Sequence, residues 1–374
     1  MERSTAIVIG AGVVGLAHAR ALSLKGYLVT VFERHPQAIG ASIRNFGMIW
    51  PVGQPDGVLY DRACRSREIW KSICTRANIW HDEVGSLHIA THTDEVTAMQ
   101  EIAALYETSR NMLWLDKKEA LQKTDYANPA NTLGALWSPS EMIVEAREAI
   151  PALAKELEEQ YGVSFHFSTA ISRVEGGKVW SGNRTWQADL IFICSGVDFE
   201  TLFPEKFAAL AITKCKLQMM RLQSLPEGKK MGAALCGGLS LIHYKGFEVS
   251  DALQALKQRY QSEMGEYLAW GIHVMACQNP QGEITVGDTH EYGLHLDPFD
   301  KNHLNQLVLD YLAQFTVLEK HPVVQTWNGI YAKMTNGQTE YIEKVNDQVY
   351  IVNGLGGAGM TLSFGLAEEV VGRI

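Results

Sequence analysis

The stretch Thr5-Ala-Ile-Val-Ile-Gly-Ala-Gly-Val-Val-Gly-Leu16 decides the fold. Its first five residues form an apolar run that reads as a buried parallel strand. Glycines at 10, 12 and 15 follow in G-x-G-x-x-G spacing, and residues 13–26 have helical composition closing on Gly26. A second apolar run, Tyr27 to Phe32, completes a βαβ unit and ends at Glu33. Gly10 permits the tight turn, Gly12 lets backbone approach a pyrophosphate, and Gly15 lets helix and strand pack closely. The helix N-terminus, around Val14, offers free N–H groups and a favourable dipole to phosphates. Glu33 stands where an acid binds a ribose diol, which favours FAD or NAD over NADP; Arg34 beside it can lie over an adenine. A glycine triplet alone arises by chance. The strand before it, the helix after it and the acid at the next strand end make this one a dinucleotide site.

Outward from this unit, the 374 residues suggest two domains, and 46% hydrophobic content excludes intrinsic disorder. Lys+Arg 33 against Asp+Glu 42 leaves a net charge of −9, which with no basic block argues against nucleic-acid binding. The six cysteines contain no C-x-x-C pair and no zinc-ligand spacing, so they read as reduced thiols of a cytoplasmic protein without a metal site. The apolar stretch Ala6 to Ala17 is too short to span a membrane and is followed by His18 and Arg20.

Helices are expected over 58–79, 94–110, 145–161 (kinked at Pro151), 250–264 and 301–316. Strands are expected at 85–90, 162–169, 188–194 and 349–353, with a hairpin at Gly176-Gly177. After the last strand comes the glycine-dense loop Gly354-Leu-Gly-Gly-Ala-Gly-Met-Thr361 and a helix from about 362 to the end. Such a loop before a helix concentrates backbone N–H donors suited to the pyrimidine oxygens of a flavin; the plainer reading is a surface turn.

Gly10–Gly15, Glu33, Gly40-Ala-Ser-Ile-Arg-Asn45, Asp189-Leu-Ile-Phe-Ile-Cys-Ser-Gly196 and the terminal glycine loop occur in this order. Together they resemble the FAD-dependent D-amino-acid/glycine/sarcosine oxidase superfamily. The resemblance implies an α/β fold: a Rossmann-like FAD-binding domain (1–80, 145–205, 330–374) interleaved with an α+β substrate domain on a mixed sheet (81–144, 206–329). It places Ala41 and Ser42 near the FAD pyrophosphate, Arg44, Asn45 and Phe46 near the flavin ring, and the Val174 backbone at the adenine. Ser195 and Gly196 join that cofactor set, and Gly357, Gly359, Met360 and Thr361 line the far side of the flavin.

One departure bears on substrate. Where most amine-oxidising members carry an arginine that grips a carboxylate, Trp327-Asn-Gly-Ile-Tyr-Ala-Lys333 puts Tyr331. With Ala41 to Gln54 and Gly287 to Tyr292, this looks like a subgroup associated with bacterial phosphonate use. The implied substrate is a small anionic amine, an aminophosphonate or its N-methyl derivative. Tyr331, Arg44, Lys333, His243, Lys245 and His290 are the candidate substrate-binding residues, though each also reads as a polar strand end, a turn or a surface charge. The expected reaction is C–N oxidation with oxygen or another electron acceptor, centred on the flavin, and no side-chain acid or base stands out. A glycine, sarcosine or D-amino-acid oxidase or dehydrogenase, an NAD-linked dehydrogenase and a non-catalytic flavoprotein remain open on these residues.

Overall fold

A computed structural model describes residues 3–226 and 228–374 of the chain. The opening strand Thr5–Ile9 lies between two parallel partners, Leu28–Phe32 and Leu190–Ile193. Ser164–His166 and Val349–Asn353 extend this parallel sheet on its two sides, and Tyr341–Lys344 closes it antiparallel. Because side chains alternate along a strand, Ala6 and Val8 face one apolar core and Ile7 and Ile9 another. The first core is filled by the helices Val13–Leu24, Val58–Ala77, Ala146–Tyr161 and Gly359–Gly372. The second lies under the three-stranded antiparallel sheet Arg173–Glu175, Lys178–Ser181 and Arg184–Gln187. A sheet buried on both faces explains why its strands read as unbroken apolar runs.

A nine-stranded mixed sheet forms the other part of the molecule. One strand in from its edge is the long strand Ile212–Leu222. Val323–Met334 pairs along one edge of it, while Ile284–Gly287 and Glu291–Gly293 pair in tandem along the other. Helices Thr93–Arg110, Leu253–Glu263 and Asn302–Phe315 pack on this sheet in a third core. The strand Val323–Met334 reaches from this sheet to the first one, since its end residues Ala332 and Met334 sit in the core under the parallel sheet.

One expectation changes. The terminal helix starts at Gly359, not near 362, so Gly359, Met360 and Thr361 form its first turn. Pro151 lies inside the continuous helix Ala146–Tyr161. Among the described residues no helix is long and apolar enough to cross a membrane.

The terminal helix is tied to Val58–Ala77 by Arg62, whose guanidinium is buried and meets Glu369 at 2.7 Å and Glu340 at 2.8 Å. Removing one partner of such a set leaves the others desolvated without compensation. Arg62→Leu is therefore expected to lower unfolding free energy by about 3 kcal/mol, read as a lower urea midpoint at unchanged slope.

Candidate functional site

Between the two sheets runs a cleft of about 660 Å³. Its depth begins at the glycine turn. Gly10 has φ +107°, and a Cβ there would fall 2.4 Å from the Cys194 carbonyl oxygen. A Cβ on Gly15 would fall 1.9 Å from the Gly10 carbonyl, so only glycine lets this helix lie on its strand. Gly15 serves packing in this way and does not line the cleft, whereas Gly10, Gly12 and Val14 do. Ser42 Oγ accepts the Val13 amide at 2.9 Å; the first-turn amides behind it have no intrahelical partner. Glu33 accepts from the amides of Ala11 and His35, both at 3.0 Å, so its carboxylate braces the turn from the next strand. Arg34 pairs with Asp198 across the mouth of this end.

The opposite wall is the terminal glycine loop. Gly357, Gly359, Met360 and Thr361 all line the cleft, and the first turn of the last helix faces it. Asn353 ties this loop to the Ser195-Gly196 turn: its amide donates to the Gly196 carbonyl at 2.9 Å and its oxygen accepts from Gly354 N–H at 2.7 Å. Ser195 and Gly196 line the cleft in consequence. Ala41, Ser42, Arg44, Asn45 and Phe46 form its edge, but the Asn45 side chain is turned inward. Its amide donates to the carbonyls of Ala41 (2.8 Å) and Ser42 (3.0 Å), and its oxygen accepts from Gly47 N–H (2.7 Å), so it shapes the loop. Val174 is the misplaced residue. It pairs with Val179 in the hairpin and packs on the core below, and the cleft is lined instead by Thr169 and Ile171, just before that hairpin.

At the far end the cleft gathers Tyr331, Lys333, His243, Lys245 and His290, and with them His273 and Asp288, which the sequence reading passed over. Lys333 Nζ donates to Tyr292 Oη at 3.0 Å, Lys245 Nζ to the Gly337 carbonyl at 3.4 Å, and Arg44 to the Asn328 carbonyl at 3.3 Å. Among the described residues none of these three cations is in an ion pair. Asp288 lines the same cleft; burial raises its carboxyl to about 8, so at neutral pH it is largely protonated and offsets little of the positive field. Burial also keeps the Tyr331 phenol well above its usual range, with Cys215 adding to the effect, so it remains an O–H donor. Burial depresses His243, His273 and His290, the last to about 4. The signal that could have found Asp288 was its spacing from His290: in extended backbone, residues two apart share a side.

Set beside known proteins, residues 5–373 match the family model described as DAO, FAD dependent oxidoreductase. A bifunctional tRNA 5-methylaminomethyl-2-thiouridine biosynthesis protein, MnmC, from Pseudomonas aeruginosa is 24% identical over 253 residues, 63% of this chain and 36% of that protein. The mitochondrial L-2-hydroxyglutarate dehydrogenase of Arabidopsis thaliana is 30% identical over 159 residues, 41% of this chain and 32% of that one. The matches thus span about a third of the length of these relatives. Among solved structures, glycine oxidase from Geobacillus kaustophilus superposes with TM-score 0.78 at 19% identity, covering 100% of this chain and 95% of that one. L-proline dehydrogenase from P. horikoshii gives 0.78 at 20% identity, covering 99% and 92%. These establish the shared fold.

The close approach at Gly10 yields a test. Gly10→Ala both strains a positive φ and drives a Cβ into Cys194, whereas Gly26→Ala, at φ +99°, meets nothing within 4 Å. With about 1–3 kcal/mol of strain placed in the cradle, Gly10→Ala should purify largely without flavin, and Gly26→Ala should keep a wild-type ratio of 450 nm to 280 nm absorbance.

Proposed function

The chain belongs to the FAD dependent oxidoreductase family, and from that premise we propose that it oxidises the C–N bond of a small anionic amine, an aminophosphonate or its N-methyl derivative. The cradle suits the cofactor: at one end a turn of glycines whose Cβ atoms would strike backbone or Ser42, opening on a helix N-terminus, and at the other a second glycine loop with a helix N-terminus of its own. In this reading Gly10, Gly12 and Val14 hold the pyrophosphate, with Ser42 beside it, and Glu33 takes the ribose. Gly357, Gly359, Met360 and Thr361 face the flavin, while the nine-stranded sheet supplies the substrate side. When bound, FAD supplies two-electron oxidising power, taking a hydride equivalent from the carbon next to nitrogen. The resulting imine hydrolyses to a carbonyl compound, and oxygen or another acceptor removes the electrons.

The observation that carries the substrate class is that Arg44, Lys245 and Lys333 line the same cleft as Tyr331 and, among the described residues, stand in no ion pair. A planar carboxylate is matched by one guanidinium fork; a tetrahedral dianion needs donors from several directions and more than one positive charge. Point-charge lysines and a phenol O–H supply that spread. The protein's own part is then to anchor the acid group, aim the amine carbon and keep water out of the cleft, which is largely apolar along its walls.

A screen of anaerobic flavin bleaching and peroxide release should favour 2-aminoethylphosphonate and its N-methyl form over glycine, sarcosine and D-amino acids. A reversed order would remove the phosphonate assignment. Tyr331→Phe deletes one hydrogen bond to a charged group, an effect of about 1.5–3 kcal/mol. Steady-state kinetics should therefore show KM for the anionic amine raised about 10-fold or more with kcat little changed.

A further inference from the structure

We propose that His243 is the catalytic base of this site: its imidazole, stacked on His273 with Asp288 behind, takes the proton from the nitrogen of the bound amine. The inference rests on the amine reading above and adds a residue role to it.

His243 presents its ring to the cleft, while His273, His290 and Asp288 are buried behind it. The rings of His243 and His273 stack with centroids 3.6 Å apart, and His290 lies 5.0 Å from the first and 5.3 Å from the second. Asp288 sits between the two buried rings: one carboxyl oxygen is 3.2 Å from His273 Nε2 and the other 3.9 Å from His290 Nε2. The first contact is close but off hydrogen-bond alignment, since Asp288 Oδ1 has no bonded partner, and His273 Nδ1 has none either. His290 Nδ1 lies 2.8 Å from the Gly271 carbonyl, so this nitrogen carries its proton and Nε2 is left as the acceptor toward Asp288. Buried polar atoms without partners are costly to keep. The partnerless atoms of His273 and Asp288 lie beside the exposed ring of His243 on the same cleft, an arrangement suited to proton transfer.

The chemistry calls for such a group. A small amine in water is an ammonium ion, and its nitrogen has no free electron pair with which to form C=N as a hydride leaves the neighbouring carbon. One N–H bond must break first. Its electron pair stays on nitrogen, the proton passes to a ring nitrogen of His243, and the ring becomes imidazolium; the neutral amine left behind is the form that the hydride-accepting chemistry of a bound FAD would require. Arg44, Lys245 and Lys333 line the same cleft and disfavour positive charge on the substrate nitrogen, which eases the proton off. The rings of Tyr244, His273 and His290 surround His243, and desolvation, with the charges of His290 and Lys333, holds its imidazole well below the usual range, so it is unprotonated at neutral pH. The acid group of the substrate offsets the charge formed on the ring.

The ring nitrogens of His243, His273 and His290 come within 4.8 Å of one another, the span of a three-histidine metal site. Their stacking argues for proton transfer instead. The planes of His243 and His273 are 29° apart, so their in-plane lone pairs run side by side, whereas a zinc-like ion needs them to converge at about 2.0–2.1 Å.

The test uses the purified flavoprotein in anaerobic stopped flow, with whichever of N-methyl-2-aminoethylphosphonate, 2-aminoethylphosphonate, glycine or sarcosine bleaches the wild type fastest. His243→Gln is expected to retain flavin and slow bleaching about 10²–10³-fold at pH 7. The deficit should close as pH rises toward the ammonium pKa, because the variant reacts only with amine that arrives neutral. Added imidazole should restore rate to His243→Gly in proportion to its concentration. In a second readout, 15N-histidine spectra should show one imidazolium appear when wild type binds 2-amino-2-methylpropylphosphonate, which has no hydrogen to lose beside nitrogen, and none appear in His243→Gln. A deficit equal at every pH, no deficit, unchanged histidine spectra, or a stoichiometric transition metal in the purified protein would overturn the base assignment and leave the amine reading standing. Failure of every amine to bleach the wild type would remove both.

Discussion

The contact on which the structure depends is the one between Gly15 and the carbonyl of Gly10. With 1.9 Å between that oxygen and any Cβ at position 15, the first helix can rest on the first strand only as glycine on backbone. That approach sets where the helix N-terminus points, and the Gly10 turn then brings the backbone against Cys194, the residue just past the neighbouring parallel strand. Strand, turn and helix become one rigid corner, braced from the adjacent strand by Glu33 and from the following loop by Ser42. Phosphates bind such corners because uncompensated amides and an aligned dipole are held in place without any further ordering of the chain.

The last helix repeats the device from the other end of the sequence. It packs on the first helix and against Val58–Ala77, and its opening turn faces the same cleft. Asn353 joins its glycine loop to the turn after Leu190–Ile193, so the two walls are connected through neighbouring strands of one sheet. The nine-stranded sheet reaches this assembly through Val323–Met334, which puts Tyr331 and Lys333 over the glycine loop: Tyr331 Oη lies 3.5 Å from where a Cβ on Gly357 would stand. The two walls of the cleft are therefore registered by a single strand.

Electrostatics divide the cleft by the same logic. At the end of the cleft beside Glu33, Arg34 and Asp198 neutralise each other. Where Tyr331 lines the cleft, Arg44, Lys245 and Lys333 stand, among the described residues, in no ion pair, and the carboxyl of Asp288 is held largely protonated by burial. Desolvation has opposite effects on the two kinds of group there. It raises Asp288 and the tyrosines while depressing the histidines, so the site holds neutral donors and acceptors inside a rim of fixed positive charge.

Local chemistry was enough to read the βαβ corner, the acid at its second strand and the glycine loop before the last helix, because each rests on backbone conformations that few residue types permit. Most of the residues expected along the cleft do line it for that reason. Where side-chain direction decides, the linear pattern ran out: Asn45 turns inward to its own loop, and Val174 lies in a hairpin just beyond the residues that reach the cleft. Folding alone decided the company of His243. Its neighbours come from positions 273, 288 and 290, on segments brought together by strand pairing across the sheet. Period and propensity describe how a segment lies on its own axis; which segments share a pocket is settled by long-range register, and that exists only in three dimensions.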